Sequence, residues 1–287
     1  MNRLVLIATL VIIATIATIG ATSSTLLAQW PTFQAPGGPK TADGRVDLNA
    51  PAPRTADGKV DLSGVWQTSR RPTAIAAEGT GALPPSGSVF GNIGAGTPGG
   101  APYQPWAAEL VKKRMADHSK DNPDAHCLPM GIMQNTSHPY PKKIIQTPSE
   151  VVIVYEGSGT TVREIFLDGR QLPKDPEPWW NGYSVGRWEG DTLVVETIGF
   201  VDDGWLDVRG SPLTGTGRMI ERFSRPNFGG LVIEVTIDDA KAYTKPFTAT
   251  VTNRLLPDTQ LIEFVCIDKD AVHYVGADGI PDVQKRK

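Results

Sequence analysis

Gly182–Phe200 reads GYSVGRWEGDTLVVETIGF. Two alternating runs, Ser184–Trp188 and Thr192–Ile198, are separated by Glu189-Gly190-Asp191, whose glycine supplies the positive φ that a tight reversal needs. The pattern predicts a β-hairpin. On its second run Leu193, Val195 and Thr197 point one way, while Val194, Glu196 and Ile198 point the other, so one acidic side chain shares a face with aliphatic neighbours.

Short runs of the same kind recur on both sides of this hairpin. They are Val65–Thr68, Lys143–Thr147, Val151–Glu156, Thr161–Leu167, Arg218–Ser224, Leu231–Ile237, Phe247–Leu255 and Leu261–Cys266. With the two hairpin arms they make ten predicted strands. Their connections, among them Gly157-Ser158-Gly159, Phe228-Gly229-Gly230 and Pro257-Asp258-Thr259, suit antiparallel neighbours. One amphipathic helix is expected, Pro105–His118, with Trp106, Leu110, Val111 and Met115 on its apolar face. So many short strands with a single helix exclude a βαβ fold and predict an all-β, mostly antiparallel barrel of about ten strands, the helix lying at its rim. A barrel of that size can hold a small ligand. Ser63-Gly64-Val65-Trp66 opens the first strand as calycin-type barrels open, with a tryptophan on the barrel floor.

The N-terminus divides into segments. Met1-Asn2-Arg3, the apolar run Leu4–Ala21 and the small residues up to Ala28 follow the order of a secretory signal peptide, residues 1–28, with an uncleaved anchor as the alternative. A Pro/Gly-rich leader, 29–53, is expected to be flexible. It contains KTADGRVDL (40–48), which recurs as RTADGKVDL (54–62). One barrel domain would occupy 54–287, carrying a long Gly/Pro/Ala-rich loop near 69–103. The formal charge of −3 and the absence of a basic cluster exclude nucleic acid as a natural partner, and no membrane contact is expected once the signal is cleaved. Export to the periplasm or the medium makes the two cysteines, Cys127 and Cys266, an expected disulfide. The histidines have no ligand spacing around Cys127, so no metal is expected.

RTADGKVDLSGVW, DAHCLPMG, IFLDGR, GYSVGRWEGDTLVVETIGF and TIDDAKAYTKPF together resemble a family of exported bacterial proteins to which no function is assigned. The resemblance covers roughly 54–267 and departs in the duplicated leader and in Val60, where proline is usual. It implies a secreted bacterial barrel of lipocalin-like appearance, and it implies no chemistry.

Candidate chemistry therefore comes from the residues. Gly182-Tyr183-Ser184-Val185-Gly186 matches G-x-S-x-G, but a strand and hairpin follow it where a nucleophile elbow requires a helix, so Ser184 is not read as a nucleophile. A better set gathers at predicted strand ends. His126, Asp202 and Asp203 could move protons and Arg170 could steady developing negative charge. Trp179, Trp180, Tyr183, Asp168 and Trp205 would line an aromatic mouth for a small aromatic or sugar-like ligand. Inside the barrel, Arg163 is expected to pair with Glu196 or Glu221, because an unpaired buried charge costs several kcal/mol; the pair would serve either as structural glue or as an acid/base set, with Arg163 and Glu196 among the expected substrate-binding residues. The expected function is a cofactor-independent hydrolase or lyase using general acid/base chemistry. A non-catalytic carrier or sensor is the alternative, and an envelope structural protein the third reading. A monomer or homodimer is expected.

Overall fold

The structure, a computed structural model, describes residues 38–69, 88–157 and 161–266. The signal peptide, residues 29–37 of the leader and 70–87 of the long loop lie outside the described residues. All described residues belong to one unit, Ala35–Lys287.

The predicted hairpin forms β5 (Tyr183–Glu189) and β6 (Thr192–Ile198), paired from Tyr183–Ile198 through to Glu189–Thr192. Gly190 sits in the turn at φ 62°. Around the hairpin, nine strands close a barrel. In chain order the others are β1 (Gly64–Thr68), β2 (Lys142–Gln146), β3 (Glu150–Tyr155), β4 (Val162–Phe166), β9 (Arg218–Asn227), β10 (Gly230–Asp238) and β11 (Phe247–Leu255). A separate two-stranded ladder joins β7 (Gly204–Trp205) to β8 (Pro212–Leu213). Around the barrel the order is β1, β11, β10, β9, β6, β5, β4, β3, β2, with β2 pairing back to β1. Every pairing is antiparallel except β4 with β5, which touch in parallel at Ile165–Ser184 and Phe166–Val185. The long connection between them, residues 167–182, permits that parallel step.

Nine strands therefore close the barrel where about ten were expected. Leu261–Cys266 is not a strand: the β1–β2 pairing leaves no free edge for it, and Ile262 and Val265 are 53% and 67% exposed. The segment instead runs as an extended strap, its Ile262 N–H donating to Glu156 Oε2 at 3.1 Å. Cys266, expected on an inward face, is only half buried. The strap nevertheless ends in the expected disulfide, with Cys127 and Cys266 Cα atoms 5.5 Å apart.

Alternation sets the core. Ile144, Ile153, Ile165, Leu193, Val195, Phe223, Ile233 and Val251 all turn inward and are buried. Each such aliphatic or aromatic side chain contributes about 1.5–3 kcal/mol by leaving water. Trp66 closes one end: fully buried, it donates from Nε1 to Leu62 O at 3.0 Å, and the Arg225 guanidinium lies 4.8 Å from its ring. Gly64, at φ 146°, is required there because a Cβ would fall 2.7 Å from Leu255 Cδ1 and 3.3 Å from the indole of Trp66.

Two elements at the opposite end escape the strand pattern. Helix α1 (Pro105–Ala116) matches the expected helix, but it buries Ala107 and Val111, while Trp106 is 48% exposed. Trp106 donates from Nε1 to Lys241 O at 2.7 Å. Helix α2 (Ile132–Ser137), six residues, all buried, is an unexpected second helix.

The leader's described part is docked. Both copies of the duplication form the same Asp-Gly miniature hairpin, bridged at Lys40–Val46 and Arg54–Val60. Phe228 N donates to Ala50 O at 2.7 Å and Gly229 N to Leu48 O at 2.8 Å, which ties residues 48–50 to the β9–β10 turn. Arg54 makes a bidentate pair with Asp191 of the central hairpin turn, at 2.9 and 2.7 Å.

Candidate functional site

The polar residues singled out in the sequence fall into three places. The first is a cleft of about 420 Å³ at the α1 end of the molecule, and it gathers Trp180, His126, Asp203 and Trp205. Lys113 and Arg114 of α1 and its C-cap residue Asp117 also line it.

Trp205 is fixed by the β7–β8 ladder and is only 3% exposed; its carbonyl accepts from Gln134 Nε2 of α2 at 3.2 Å. The Arg114 guanidinium stacks 4.3 Å from the Trp205 ring and donates to Gly210 O at 2.7 Å. Burial lowers its pKa, against the pull of Asp203, Asp121 and Asp207. Only glycine fits at 210, since a Cβ would lie 2.3 Å from Arg114 Cδ. The loop behind is organised by Asp207. Its buried carboxylate accepts from the N–H groups of Ile93, Arg209 and Ser211 and from the Ser211 hydroxyl, and burial raises its pKa. Ser211 in turn meets the Tyr103 hydroxyl at 2.7 Å, and burial pushes that phenol up to about 12.

Trp180 reaches the cleft because the 171–183 loop is pinned to the end of β6. Trp179 N donates to Gly199 O at 2.9 Å and Val201 N to Trp179 O at 3.2 Å. His126 ends a 3₁₀ turn, Pro123–His126, and its Nε2 lies 3.0 Å from Lys120 O. The cleft thus gathers a half-buried indole, an imidazole, the carboxylates of Asp117, Asp121 and Asp203, and the cations of Lys113 and Arg114. Such a surface can stack a ring and exchange hydrogen bonds with its hydroxyls. Lys120, hydrogen-bonded to Asp121, holds that carboxyl below its usual range.

The second place lies outside the cleft lining. Asp168 binds Arg170 through three contacts of 2.6–3.0 Å, and Arg170 rests 3.8 Å from the Phe166 ring and donates to Tyr183 Oη at 3.3 Å. Trp179, 55% exposed, completes this outer patch 6.4 Å from Tyr183. Asp202 belongs to neither cluster: its carboxylate accepts from Gly215 N at 2.7 Å and shapes the loop after β6.

The third place is the barrel lumen. Arg163 donates to both oxygens of Glu221, through NH1 at 3.0 Å and through NH2, and both side chains are 1% exposed. Ser184 Oγ accepts from Arg163 Nε and NH2 at 3.2 and 3.1 Å, and Thr197 Oγ1 accepts from NH2 at 3.0 Å. Burial alone would lower the pKa of Arg163; the Glu221 carboxylate and the Tyr155 hydroxyl together outweigh it and the net shift is upward. Of the two partners expected for Arg163, Glu221 is the one found. Glu196 points outward and pairs with Arg218 at 2.6 Å, because Leu193, Val195 and Thr197 form the inward face of β6. Ser184 is buried in this network on a strand, with no histidine among its hydrogen-bond partners within the described residues.

Residues that the sequence reading missed are Lys113, Arg114, Asp117 and Asp121. Lys113 and Arg114 sit in the last turn of α1, Asp117 at its C-cap and Asp121 in the turn beyond, and they read as a solvated face until the β7–β8 loop is docked against Arg114. Among the described residues no group of three or more His, Cys, Asp and Glu side chains is arranged to hold a metal ion. Comparison of the chain with protein-family models, with curated proteins and with solved structures finds no match.

Proposed function

We propose that this chain is an exported barrel protein that binds a small aromatic or glycoside-like molecule in the rim cleft and acts on it as a cofactor-independent hydrolase or lyase. The observation that supports this reading is the convergence of His126 and Asp203 with Trp180 and Trp205 on one cleft of about 420 Å³, a volume suited to a molecule of one or two rings. In this reading Trp180 stacks the ring. Asp203 takes a proton from a substrate hydroxyl or from water, and His126 returns one to the leaving group. Arg114, already fixed against Trp205, offers positive charge to an oxyanion. The disulfide suits the oxidising compartment that export would supply.

A carrier is the second reading, favoured by His126 itself: its Nε2 already faces the Lys120 carbonyl, and the ring is exposed. The two readings separate in one experiment. The purified mature protein is incubated with a metabolite extract, and the mixture is profiled before and after. Consumption of one compound with appearance of its products, lost in Asp203→Asn, supports catalysis. Retention of an unchanged compound on the protein supports the carrier, and neither outcome would refute binding at the cleft.

A further inference from the structure

Beneath α2, the lumen carries a cation that the Arg163–Glu221 pair does not account for. Lys142 of β2 is 2% exposed; its Nζ donates to Thr136 O at 2.8 Å and to Thr68 Oγ1 at 3.1 Å, both neutral acceptors. Its cross-strand neighbour on β3 is Tyr155, also 2% exposed, whose hydroxyl lies against Thr136 and Arg163 but completes no well-formed hydrogen bond among the described residues. Asn135, one residue before the carbonyl that holds Lys142, is 2% exposed and neither end of its amide has a hydrogen-bond partner among the described residues. Each orphaned buried polar group costs about 1–3 kcal/mol, and a lone buried charge costs more.

The charged and titratable groups around Lys142 do not compensate it. From the loop after α2 comes His138, held at about 4 by burial and by Lys142, hence neutral near pH 7. From β4 and β9 come Arg163 and Glu221, which neutralise each other. Glu156, next to Tyr155 in sequence, accepts from the strap at Ile262 N. From β1 and α2 come only the oxygen atoms of Thr68 and Thr136, and Tyr155 is pushed up by burial and stays a phenol.

We propose that this end of the lumen binds one small monovalent anion, no larger than formate or acetate, between the Lys142 ammonium, the Tyr155 hydroxyl and the Asn135 amide. An anion supplies the counter-charge that a water molecule would not, and it accepts from a phenol that completes no well-formed hydrogen bond among the described residues. The size limit follows from the aliphatic packing just below, where Ile144, Ile153 and Ile165 fill the lumen. The site is independent of the rim cleft: α2 stands between, with its Gln134 turned to the Trp205 carbonyl on the cleft side.

The test is thermal unfolding of the mature protein at about pH 6, titrated with sodium formate, acetate or chloride at constant ionic strength, with methanesulfonate as the bulky control. A saturable rise in Tm is expected for at least one small anion and not for methanesulfonate. Formate and acetate acting together would assign a carboxylate, and chloride alone a halide. Lys142→Met preserves length and apolar packing and should fold, because it strands no opposite charge and the two acceptors it leaves, Thr136 O and Thr68 Oγ1, stay within 3.4 Å of each other. It should weaken the apparent affinity at least tenfold, and Tyr155→Phe should weaken it by a smaller factor. Burial depresses Lys142 to about 7 in the unliganded protein, so the anion effect should fade by about pH 8.5 in the wild type. An equal response in Lys142→Met, or no saturable response to any of the three anions, would overturn the proposal and leave water as the occupant.

Discussion

Replacing Glu221 by glutamine keeps the shape of the lumen and removes one charge, so it isolates what the Arg163–Glu221 pair does for the barrel. The guanidinium would remain 1% exposed, facing the neutral amide and the hydroxyls of Ser184 and Thr197. Two unit charges about 4 Å apart interact by roughly 4 kcal/mol at an effective dielectric constant near 20. Breaking a buried pair by removing one partner costs about 3–5 kcal/mol in practice, since the other charge is stranded. A domain of this size loses about 2–4 °C of Tm per kcal/mol, so Glu221→Gln should melt roughly 10 °C below the wild type. Urea unfolding followed by tryptophan fluorescence should show the same loss with an unchanged slope. The control is the double replacement Arg163→Met with Glu221→Leu, which removes both charges and should recover most of the stability. A loss below about 1 kcal/mol for Glu221→Gln would refute the reasoning, because that is the value of a solvated pair and would place this face of β4 and β9 outside.

Replacing Cys127 and Cys266 by serine opens a loop with a separation of 139 residues and should cost about 4–5 kcal/mol on the chain-entropy model, measured by calorimetry; an unchanged Tm would mean that the strap is held without the bond. Deleting residues 29–53 should lower Tm by a few degrees, since it removes the two hydrogen bonds from the β9–β10 turn to Leu48 and Ala50; no change would show that this docking contributes nothing. Lys142 has a folded pKa of about 7, below the unfolded value near 10.4, so the unfolded chain binds more protons between those limits and stability should rise as pH increases from about 7 to 10. The comparison with Lys142→Met, which should lack that rise, checks the sign; parallel pH profiles for the two proteins would contradict it.

The barrel was legible because each strand repeats with period two and one face must be dry. β9 shows it plainly: Met219, Glu221, Phe223 and Arg225 turn inward while Arg218 and Arg222 face out. The same logic pointed to a charged partner for Arg163, but it could not choose between Glu221 and Glu196, since Val194 on the outer face of β6 is as buried as the inner residues. Strand pattern alone does not say which face is covered by a loop. α2 was invisible for a different reason: IMQNTS is too short to show a helical period, and Asn135, Thr136 and Ser137 read as loop residues. His126, Asp203, Trp180 and Trp205 were picked for their chemistry, and the structure brings them to one cleft. Arg170, Asp168 and Tyr183 were picked the same way and lie elsewhere, because Arg170 folds back onto Phe166 and Asp168 within its own turn. The α1 side of the cleft depends on long-range docking of Gly210 against Arg114, which no local pattern records.

The claim on which the functional reading rests is that the rim cleft, and not Ser184 or the outer aromatic patch, takes the ligand. Ligand-observed NMR of the mature protein against a mixture of small phenols, aryl glycosides and monosaccharides tests it directly, run in parallel on Trp180→Ala, Trp179→Ala and Ser184→Ala. The account predicts that at least one ring-bearing compound binds the wild type and that Trp180→Ala weakens it at least tenfold, about 1.4 kcal/mol, while Trp179→Ala and Ser184→Ala bind it as the wild type does. Binding that survives in Trp180→Ala and is lost in Trp179→Ala or Ser184→Ala would contradict it.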